Sequence, residues 1–425
     1  MAALWQARAG RRERRAVPHQ GVGDVSGLTE ATAAALFGLL EGAHHARPDD
    51  VPGMATEAGA QLGALATTIY LVDYEQRALI PLGVDRPLLS IEGTLAGRCF
   101  GDVAVKDSRS GPSLLIWSPL LDGTERLGVV EYEFAPATVV EDELRIACRR
   151  LTSLLAELTM TRILYGDLIQ QTRRLLPMSM PAEIQWNMLP PLTFATERVV
   201  ISGVLAPCYT MAGDSFDYAV NGDIAHLAVF DAMGHGLEAT LLATVAVGAY
   251  RNARRCGLDL VDTARSIDRW LTAQFGFDRF VTAIIGELNL QTGCWRWIPA
   301  GHPAALLLRR GRIVKSLEQS IEPPLGLLTD RPIVGEERLE PGDRLLLYTD
   351  GVTEARDAAG DFFGVERLGD LVARESASAL PAPEVLRRLN HAILAHQDGN
   401  LQDDATVLFV EWCGEASEQV LPTLE

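Results

Sequence analysis

The chain has 425 residues, a formal net charge of −18 and a hydrophobic fraction of 48%. Its length predicts two or three domains, and its acidity argues against nonspecific binding to nucleic acid or to an anionic membrane surface. No apolar run reaches the roughly 18 residues that would indicate a membrane-spanning helix. The six cysteines are scattered without a Cys-x-x-Cys pair. We therefore expect neither a zinc site nor a disulfide framework, and a cytoplasmic location.

The first segment, residues 1–27, is predicted to be a flexible basic arm, because no apolar segment of a secretion signal follows its arginines. Residues 28–158 then show an α+β pattern of helix, mixed sheet, hairpin and helix. The predicted helices cover 28–46 and 51–65, and the predicted strands cover 67–72, 78–82, 113–121 and 126–134. Asp122-Gly123 is the turn signal between the last two strands.

The pattern of residues 28–158, with a polar turn before Leu-Gly-Val-Val, resembles a GAF domain, which is a small sensory module. The resemblance implies a sensor whose ligand is unknown. The alternative is a dimerisation domain that binds no ligand.

A helical linker is predicted between this domain and the rest, over residues 159–197. A long helix is expected over 141–176, and a short helix over 182–189 ends at a double proline. Apolar residues in the long helix alternate steps of four and three, which favours a parallel helix pair in a homodimer. They are Leu144, Cys148, Leu151, Leu155 and Leu158. The alternative is an amphipathic helix that packs on its own domain.

Residues 198–412 are predicted to form one domain, followed by an acidic tail, 413–425. The predicted strands cover 198–206, 224–230, 280–290, 293–300, 304–309, 312–317, 343–349 and 405–412. The predicted helices cover 235–255, 259–275, 364–375 and 382–397. Sequential strands with helices grouped between them indicate a layered α/β/β/α sandwich rather than a doubly wound sheet.

Four short acidic motifs stand out in this domain, and three of them follow or open an apolar, β-prone run. The motifs are Ala-Gly-Asp-Ser-Phe-Asp (212–217), Phe-Asp-Ala-Met-Gly-His-Gly (230–236), Tyr-Thr-Asp-Gly (348–351) and Asp-Asp-Ala-Thr (403–406). Carboxylates at the ends of buried strands are unfavourable unless a cation compensates them. Hard divalent cations such as Mg²⁺ and Mn²⁺ prefer oxygen ligands. The motifs therefore predict a divalent-metal site.

Together with Ala-Glu-Ile-Gln (182–185), Gly-His-Pro (301–303) and Pro-Gly-Asp (341–343), these motifs resemble the PPM-family metal-dependent Ser/Thr phosphatases of the SpoIIE/RsbU type. The resemblance implies two Mn²⁺ or Mg²⁺ ions bridged by Asp231. Asp350 and Asp403 would complete the protein ligands of one ion, and Asp214 with the Ala232 carbonyl would serve the other. A water between the ions would attack phosphorus.

Several neighbouring residues keep more than one interpretation. Asp217 is a candidate ligand, a carboxylate that supports a ligand, or a strand-end cap, and Asp404 is a weaker ligand candidate than Asp403. His235 is a candidate proton donor to the leaving oxygen, with a structural role near its glycine turn as the alternative. His302 is expected to stabilise the loop after its strand.

The resemblance implies a phosphoserine/phosphothreonine phosphatase whose substrate is a regulatory protein, of the anti-anti-sigma (STAS) type. Control would come from the N-terminal sensor through the linker, in a homodimer. Two alternatives remain: a pseudophosphatase that serves as a binding platform, and a hydrolase of small phosphate esters.

Overall fold

The computed structural model describes residues 30–110, 113–210, 213–319, 322–377, 380–397 and 403–414. The predicted basic arm, 1–27, and nearly all of the predicted tail, 413–425, lie outside these ranges. Within the described residues, no helix has the length and apolar character needed to cross a bilayer.

The N-terminal part is a six-stranded antiparallel sheet with four helices. Its helices are α1 (Glu30–Ala43), α2 (Val51–Gln61), α3 (Leu95–Asp102) and α4 (Asp142–Arg162). Its strands are β1 (Ala66–Val72), β2 (Ala78–Pro81), β3 (Leu89–Ser90), β4 (Lys106–Ser110), β5 (Ser113–Asp122) and β6 (Glu125–Phe134), in the spatial order β3-β2-β1-β6-β5-β4. The expected hairpin is present, since Asp122 pairs with Glu125 across the β5–β6 turn.

Both faces of this sheet are covered by helices. Successive residues of a strand point to opposite faces. Accordingly, Ile69 and Leu71 belong to a core with α1, α2 and α4, whereas Tyr70 and Val72 pack with α3. The α+β pattern predicted for this region is therefore confirmed, and its assignment as a GAF-like sensor stays a prediction.

The predicted interchain seam of α4 is wrong. Cys148, Leu151, Leu155 and Leu158 are at most 5% exposed and belong to the core of their own domain. The spacing of a coiled-coil seam also suits a helix that lies on its own sheet, and here the sheet takes the apolar stripe. This stripe is therefore not available to a second chain.

The long helix predicted over 141–176 is also interrupted. α4 ends at Arg162, a turn of 3₁₀-helix covers Ile163–Tyr165, and Gly166 is extended before the short α5 (Leu168–Thr172) begins. The expected short helix is present as α6 (Met180–Met188), in which the Ser179 hydroxyl accepts a hydrogen bond from the Ala182 amide at 3.3 Å. The linker is thus a series of short elements rather than a rigid rod.

The C-terminal part contains two antiparallel sheets. The first consists of β9 (Asp214–Asn221), β10 (Ile224–Ala232), β11 (Val281–Asn289), β12 (Cys294–Ala300) and β15 (Gly335–Arg338). Its spatial order is β15-β12-β11-β10-β9. The second consists of β7 (Thr193–Ala195), β8 (Val199–Ala206), β13 (Leu306–Arg309), β14 (Arg312–Ser316), β16 (Arg344–Tyr348) and β17 (Ala405–Trp412). Its spatial order is β14-β13-β16-β17-β8-β7.

Three cores define the layers of this part. One core lies between the two sheets and contains Phe216, Val229 and Leu408. A second core joins the first sheet to α7 (Leu237–Arg255) and α8 (Leu260–Phe275). A third joins the second sheet to α9 (Asp350–Thr353), α10 (Gly364–Ala377) and α11 (Ala382–His396). The predicted α/β/β/α sandwich is therefore confirmed. Strand β9, which carries the first acidic motif, was not predicted.

The two parts contact each other through buried polar groups at one place. The guanidinium of Arg126 on β6 lies 3.1 Å from Glu384 on α11. Arg387, on the same helix, bonds both Glu384 and Glu92 of the N-terminal part. Nearby, the Thr193 amide donates to Glu125 at 2.5 Å. Charged groups this deeply buried persist only when paired, so these contacts specify how the two parts dock.

A second contact joins the N-terminal part to α6. The Tyr74 ring, in the loop after β1, lies 4.6 Å from the Trp186 ring and 6.4 Å from that of Tyr209. The guanidinium of Arg173 lies 4.6 Å from the centre of the Tyr74 ring. Helix α6 is therefore held between the N-terminal sheet and the sandwich.

Candidate metal centre

Two of the predicted ligands face each other on neighbouring strands. Asp214 opens β9 and pairs in register with Asp231 near the end of β10, and Asp231 pairs on its other side with Thr282 of β11. Residues paired in this way point to the same face of a sheet. This face is the one between the sheets, because Phe216 and Val229, two residues along each strand, lie in the inter-sheet core.

The second sheet brings the other predicted ligands to the same end of the sandwich. Asp350 follows β16 and opens α9, while Asp403 and Asp404 precede β17. The Asp404 carboxylate accepts hydrogen bonds from the amides of Gly213 and Asp214, the latter at 3.3 Å. The acidic motifs of the two sheets are therefore joined directly.

The carboxylates of this centre raise one another's pKa. Burial raises the pKa of Asp231 to about 7, and the negative charges of Asp350 and Asp403 add to this effect. A hydrogen bond from Thr282 lowers the pKa by a smaller amount. Burial together with Asp231 and Asp404 raises the pKa of Asp214 well above its usual range. Burial and Asp403 also raise the pKa of Asp350. Burial is the largest cause of these shifts, and the neighbouring charges that add to it are negative, so among the residues that the structure describes no cation matches the acids of this centre.

The donor set fits a hard divalent cation. Asp404 is 6% exposed, and its Oδ1 has no hydrogen-bond partner among the described residues, although a buried carboxylate oxygen normally has one. In the described ranges no three acidic, histidine or cysteine side chains already form a closed ligand set. The oxygens thus share one neighbourhood without being fully converged. Asp231, Asp214, Asp350 and Asp403, with the Ala232 carbonyl, are the groups that could hold metal there.

Close backbone approach at this centre depends on glycine. A β-carbon added to Gly351 would lie 1.9 Å from the Asp404 carbonyl oxygen, which no real side chain could tolerate. At Gly213 the nearest atom, the Ala232 carbonyl oxygen, would be 3.3 Å away, so the fit there is tight but less extreme. Gly351 therefore lets α9 begin directly against the Asp403–Asp404 segment.

Asp217 is not part of the centre. It lies three residues beyond Asp214 on β9, so it points to the opposite face, toward α7. There its two carboxylate oxygens are bonded by Arg251 and Arg254 at distances of 2.7–3.0 Å. Asp217 is 1% exposed and fully paired, and its role is to attach α7 to the sheet.

His235 lies outside the buried centre. It is exposed in the loop between β10 and α7, beside Gly234 and Gly236, both of which have positive φ angles. Burial and Asp403 raise the pKa of Asp404 to about 6 against hydrogen bonds from the amides of Asp214 and Gly213, and His235 has only a minor effect there. His235 is thus a residue of the rim rather than of the buried centre.

Three polar residues that were given no role from the sequence support the acids, although Thr349 and Gln185 lie within the quoted motifs. The Thr349 hydroxyl donates to Asp214 Oδ2 at 2.6 Å and accepts from the Thr406 amide at 2.9 Å. The side chain of Gln185, on α6, donates to the Asp214 carbonyl oxygen at 2.6 Å. Thr282 lies beside Asp231. Single hydroxyls and amides carry no sequence signal of their own, and only their strand partners identify them.

His302 is buried at 8% exposure and bridges the two sheets. Its Nδ1 lies 2.8 Å from the Thr282 hydroxyl, and its Nε2 lies 3.1 Å from the Tyr348 carbonyl oxygen. Burial lowers the pKa of His302 to about 4, so the ring is neutral. The expected loop-stabilising role agrees with these contacts.

Comparison with known proteins bears on residues of the sandwich. Residues 221–413 match the family model described as Stage II sporulation protein E (SpoIIE). That range contains Asp231, Asp350 and Asp403 and begins after Asp214.

Two curated relatives and one solved structure illustrate the similarity. Protein IcfG of Synechocystis sp. is 27% identical over 277 residues, covering 58% of this chain and 40% of IcfG. Phosphoserine phosphatase RsbU of Bacillus subtilis is 24% identical over 229 residues, covering 53% of this chain and 67% of RsbU. The crystal structure of the RsbU and RsbW domains of Rv1364c from Mycobacterium tuberculosis is 27% identical with a TM-score of 0.45, covering 52% of this chain and 61% of that one. The chain therefore spans well under half the length of IcfG.

Proposed function

We propose that this chain, whose C-terminal part is a phosphatase domain of the SpoIIE PP2C type, is a metal-dependent phosphatase that acts on phosphoserine or phosphothreonine of a protein. The observation that carries the proposal is the meeting of acids from two sheets at one end of the sandwich. Asp214 and Asp231 are in register there, and no matching cation lies among the described residues.

The proposed ligand assignment follows the positions of these acids. Asp231 would be the ligand shared by two Mn²⁺ or Mg²⁺ ions, because it is flanked by Asp214 on its own sheet and influenced by Asp350 and Asp403 of the other. Asp350 and Asp403 would hold one ion, and Asp214 with the Ala232 carbonyl would hold the second. Asp404 instead fixes the Gly213–Asp214 backbone.

When bound, such ions supply an activated water and neutralise charge on the phosphoryl oxygens. The chain's own residues hold the ligand oxygens in place: Thr349 fixes the Asp214 carboxylate, and Gln185 fixes its backbone. His235, exposed on the rim, is the proposed proton donor to the leaving serine or threonine oxygen.

We further propose that the substrate is a regulatory phosphoprotein of the anti-anti-sigma (STAS) type, and that the N-terminal part controls the activity in a homodimer. Similarity to the phosphoserine phosphatase RsbU supports the first point. The contacts of Tyr74 with Trp186 on α6, next to Gln185, support the second.

The activity can be tested with purified full-length protein and p-nitrophenyl phosphate, with Mn²⁺ or Mg²⁺ added or chelated. We expect turnover that requires metal and is lost in Asp231→Asn. The exposed Asp330 provides the matched control, and Asp330→Asn should keep full turnover. If neither ion supports turnover, the proposed phosphatase activity is contradicted and a role as a binding platform is favoured. Phosphoprotein and phosphometabolite panels then separate a protein substrate from a small ester.

A further inference from the structure

One imidazole contacts both sheets directly behind the proposed ligands. His302 lies in the loop after β12, where Gly301 has a φ of +67° and forms a bridge with Ala283 of β11. Of its two ring partners, Thr282 is the register partner of Asp231, and Tyr348 lies two residues before Asp350. In one sheet His302 therefore contacts the register partner of a proposed ligand, and in the other it contacts the end of the strand that leads to Asp350.

The hydrogen positions around this ring follow from the partners. The Tyr348 carbonyl can only accept, so Nε2 of His302 carries the proton and donates. In the neutral ring Nδ1 is then an acceptor, and the Thr282 hydroxyl is its donor at 2.8 Å.

Thr282 has a single hydroxyl proton and two neighbouring acceptors. The second acceptor, Asp231 Oδ2, is 3.4 Å away, at the limit of a hydrogen bond, whereas Nδ1 of His302 is at an ideal distance. The shorter contact takes the larger share of the proton, so Asp231 Oδ2 receives only a weak hydrogen bond from Thr282. A carboxylate in that situation keeps its lone pairs available and has a cation as its natural partner.

We propose that His302 is a positioning residue that draws the Thr282 hydroxyl proton away from Asp231 and so leaves this carboxylate free to bind a divalent cation. The inference rests on the proposed function, because it requires that Asp231 be a metal ligand. Without an acceptor at Nδ1, the Thr282 hydroxyl would turn to Asp231 and compete with the cation.

Two substitutions at His302 separate its two bonds. His302→Gln places an amide near the Nε2 position, where it can donate to Tyr348, but leaves Thr282 without its acceptor. His302→Asn places an amide oxygen near the Nδ1 position and keeps that acceptor. Mn²⁺ affinity, measured by titration calorimetry on the full chain, should fall roughly tenfold in His302→Gln and by less than about threefold in His302→Asn. Thermal unfolding without metal shows whether each variant is folded.

Thr282→Val distinguishes proton competition from simple support of Asp231. If the hydroxyl is the competitor, Thr282→Val binds Mn²⁺ within about threefold of the wild type, and adding Thr282→Val to His302→Gln restores most of the lost affinity. A tenfold loss in Thr282→Val alone, or a double variant no better than His302→Gln, would overturn the inference. Thr282→Val decides the question even if His302→Gln does not fold. Wild-type protein that binds no Mn²⁺ would instead refute the proposed function.

Discussion

Asp214 and Asp231 pair in register across β9 and β10, so that two carboxylates lie side by side on one buried face. Like charges directly opposite each other destabilise a sheet. Thr349 and Thr282 place hydroxyls beside them, which ease but do not neutralise the repulsion. The fold therefore carries a local electrostatic cost that a divalent cation would remove.

Asp231→Asn should consequently stabilise the metal-free protein while abolishing activity. Removing one of two facing charges should raise the free energy of unfolding by about 1 kcal/mol, the equivalent of one pKa unit. Wild-type protein should gain thermal stability when Mn²⁺ is added, and the variant should gain little. Thermal unfolding with chelator and with Mn²⁺ measures both effects. A variant less stable than wild type in chelator would contradict the repulsion between Asp214 and Asp231.

Asp217→Asn should destabilise the protein and leave Mn²⁺ binding intact, although Asp217 is only three positions from Asp214. Its carboxylate is 1% exposed and pairs with Arg251 and Arg254, so the substitution leaves the buried Arg254 and the half-buried Arg251 without a counter-charge. We expect a loss of about 3–5 kcal/mol in the free energy of unfolding. Mn²⁺ affinity should stay within about threefold of wild type, because this side chain faces α7 rather than the centre. Urea unfolding and calorimetry test the two statements, and a large loss of Mn²⁺ affinity with unchanged stability would reinstate Asp217 as a ligand.

The contrast between these two acids shows what sequence could and could not predict. Apolar runs beside Asp231, Asp350 and Asp403 were long enough to identify strands, so the acids were correctly placed at strand ends. Phe216, Tyr218 and Val220 of β9 alternate with other residues as in a half-buried strand, but the segment has no continuous apolar run and β9 was missed. Once β9 is known, its alternation assigns Asp214 and Asp217 to opposite faces.

Other features depend on partners that are distant in the chain. Thr282, Thr349 and Gln185 act through atoms far from them in sequence, which no local pattern encodes. The apolar stripe of α4 was identified from the sequence, but tertiary packing decides whether it contacts another chain or its own sheet. The layered sandwich was predictable because its strands and helices are long and strongly periodic.

Gln185→Met should weaken metal binding from a position outside the centre. Gln185 is 1% exposed, and its bond to the Asp214 carbonyl oxygen joins α6 to the first residue of β9. Loss of one hydrogen bond, worth about 1 kcal/mol, predicts a roughly fivefold fall in Mn²⁺ affinity. Asn187, exposed on the same helix, gives the control, and Asn187→Ala should bind Mn²⁺ as wild type does. Equal affinities in all three proteins would show that α6 does not influence the centre.

The contact between the two parts of the chain should be lost in acid. Burial alone would raise the pKa of Glu384, but Arg387, Arg126 and Arg388 outweigh it and lower the pKa to about 2. Because the folded pKa lies below the unfolded value of 4.5, the ion pairs contribute stability above that pH. This contribution, about 3 kcal/mol, should disappear as pH falls from about 5 to about 2.

Glu384→Gln should remove this acid dependence. The variant leaves Arg126 and Arg387 without their buried partner, so we expect it to be less stable than wild type at neutral pH and to approach it near pH 2. Urea unfolding across this range measures the difference. Exposed Glu238, which pairs with Arg279 on the surface, provides the matched control, and Glu238→Gln should change stability by less than about 1 kcal/mol at any pH. Parallel pH profiles for wild type and Glu384→Gln would show that the Arg126–Glu384 contact does not hold the two parts together.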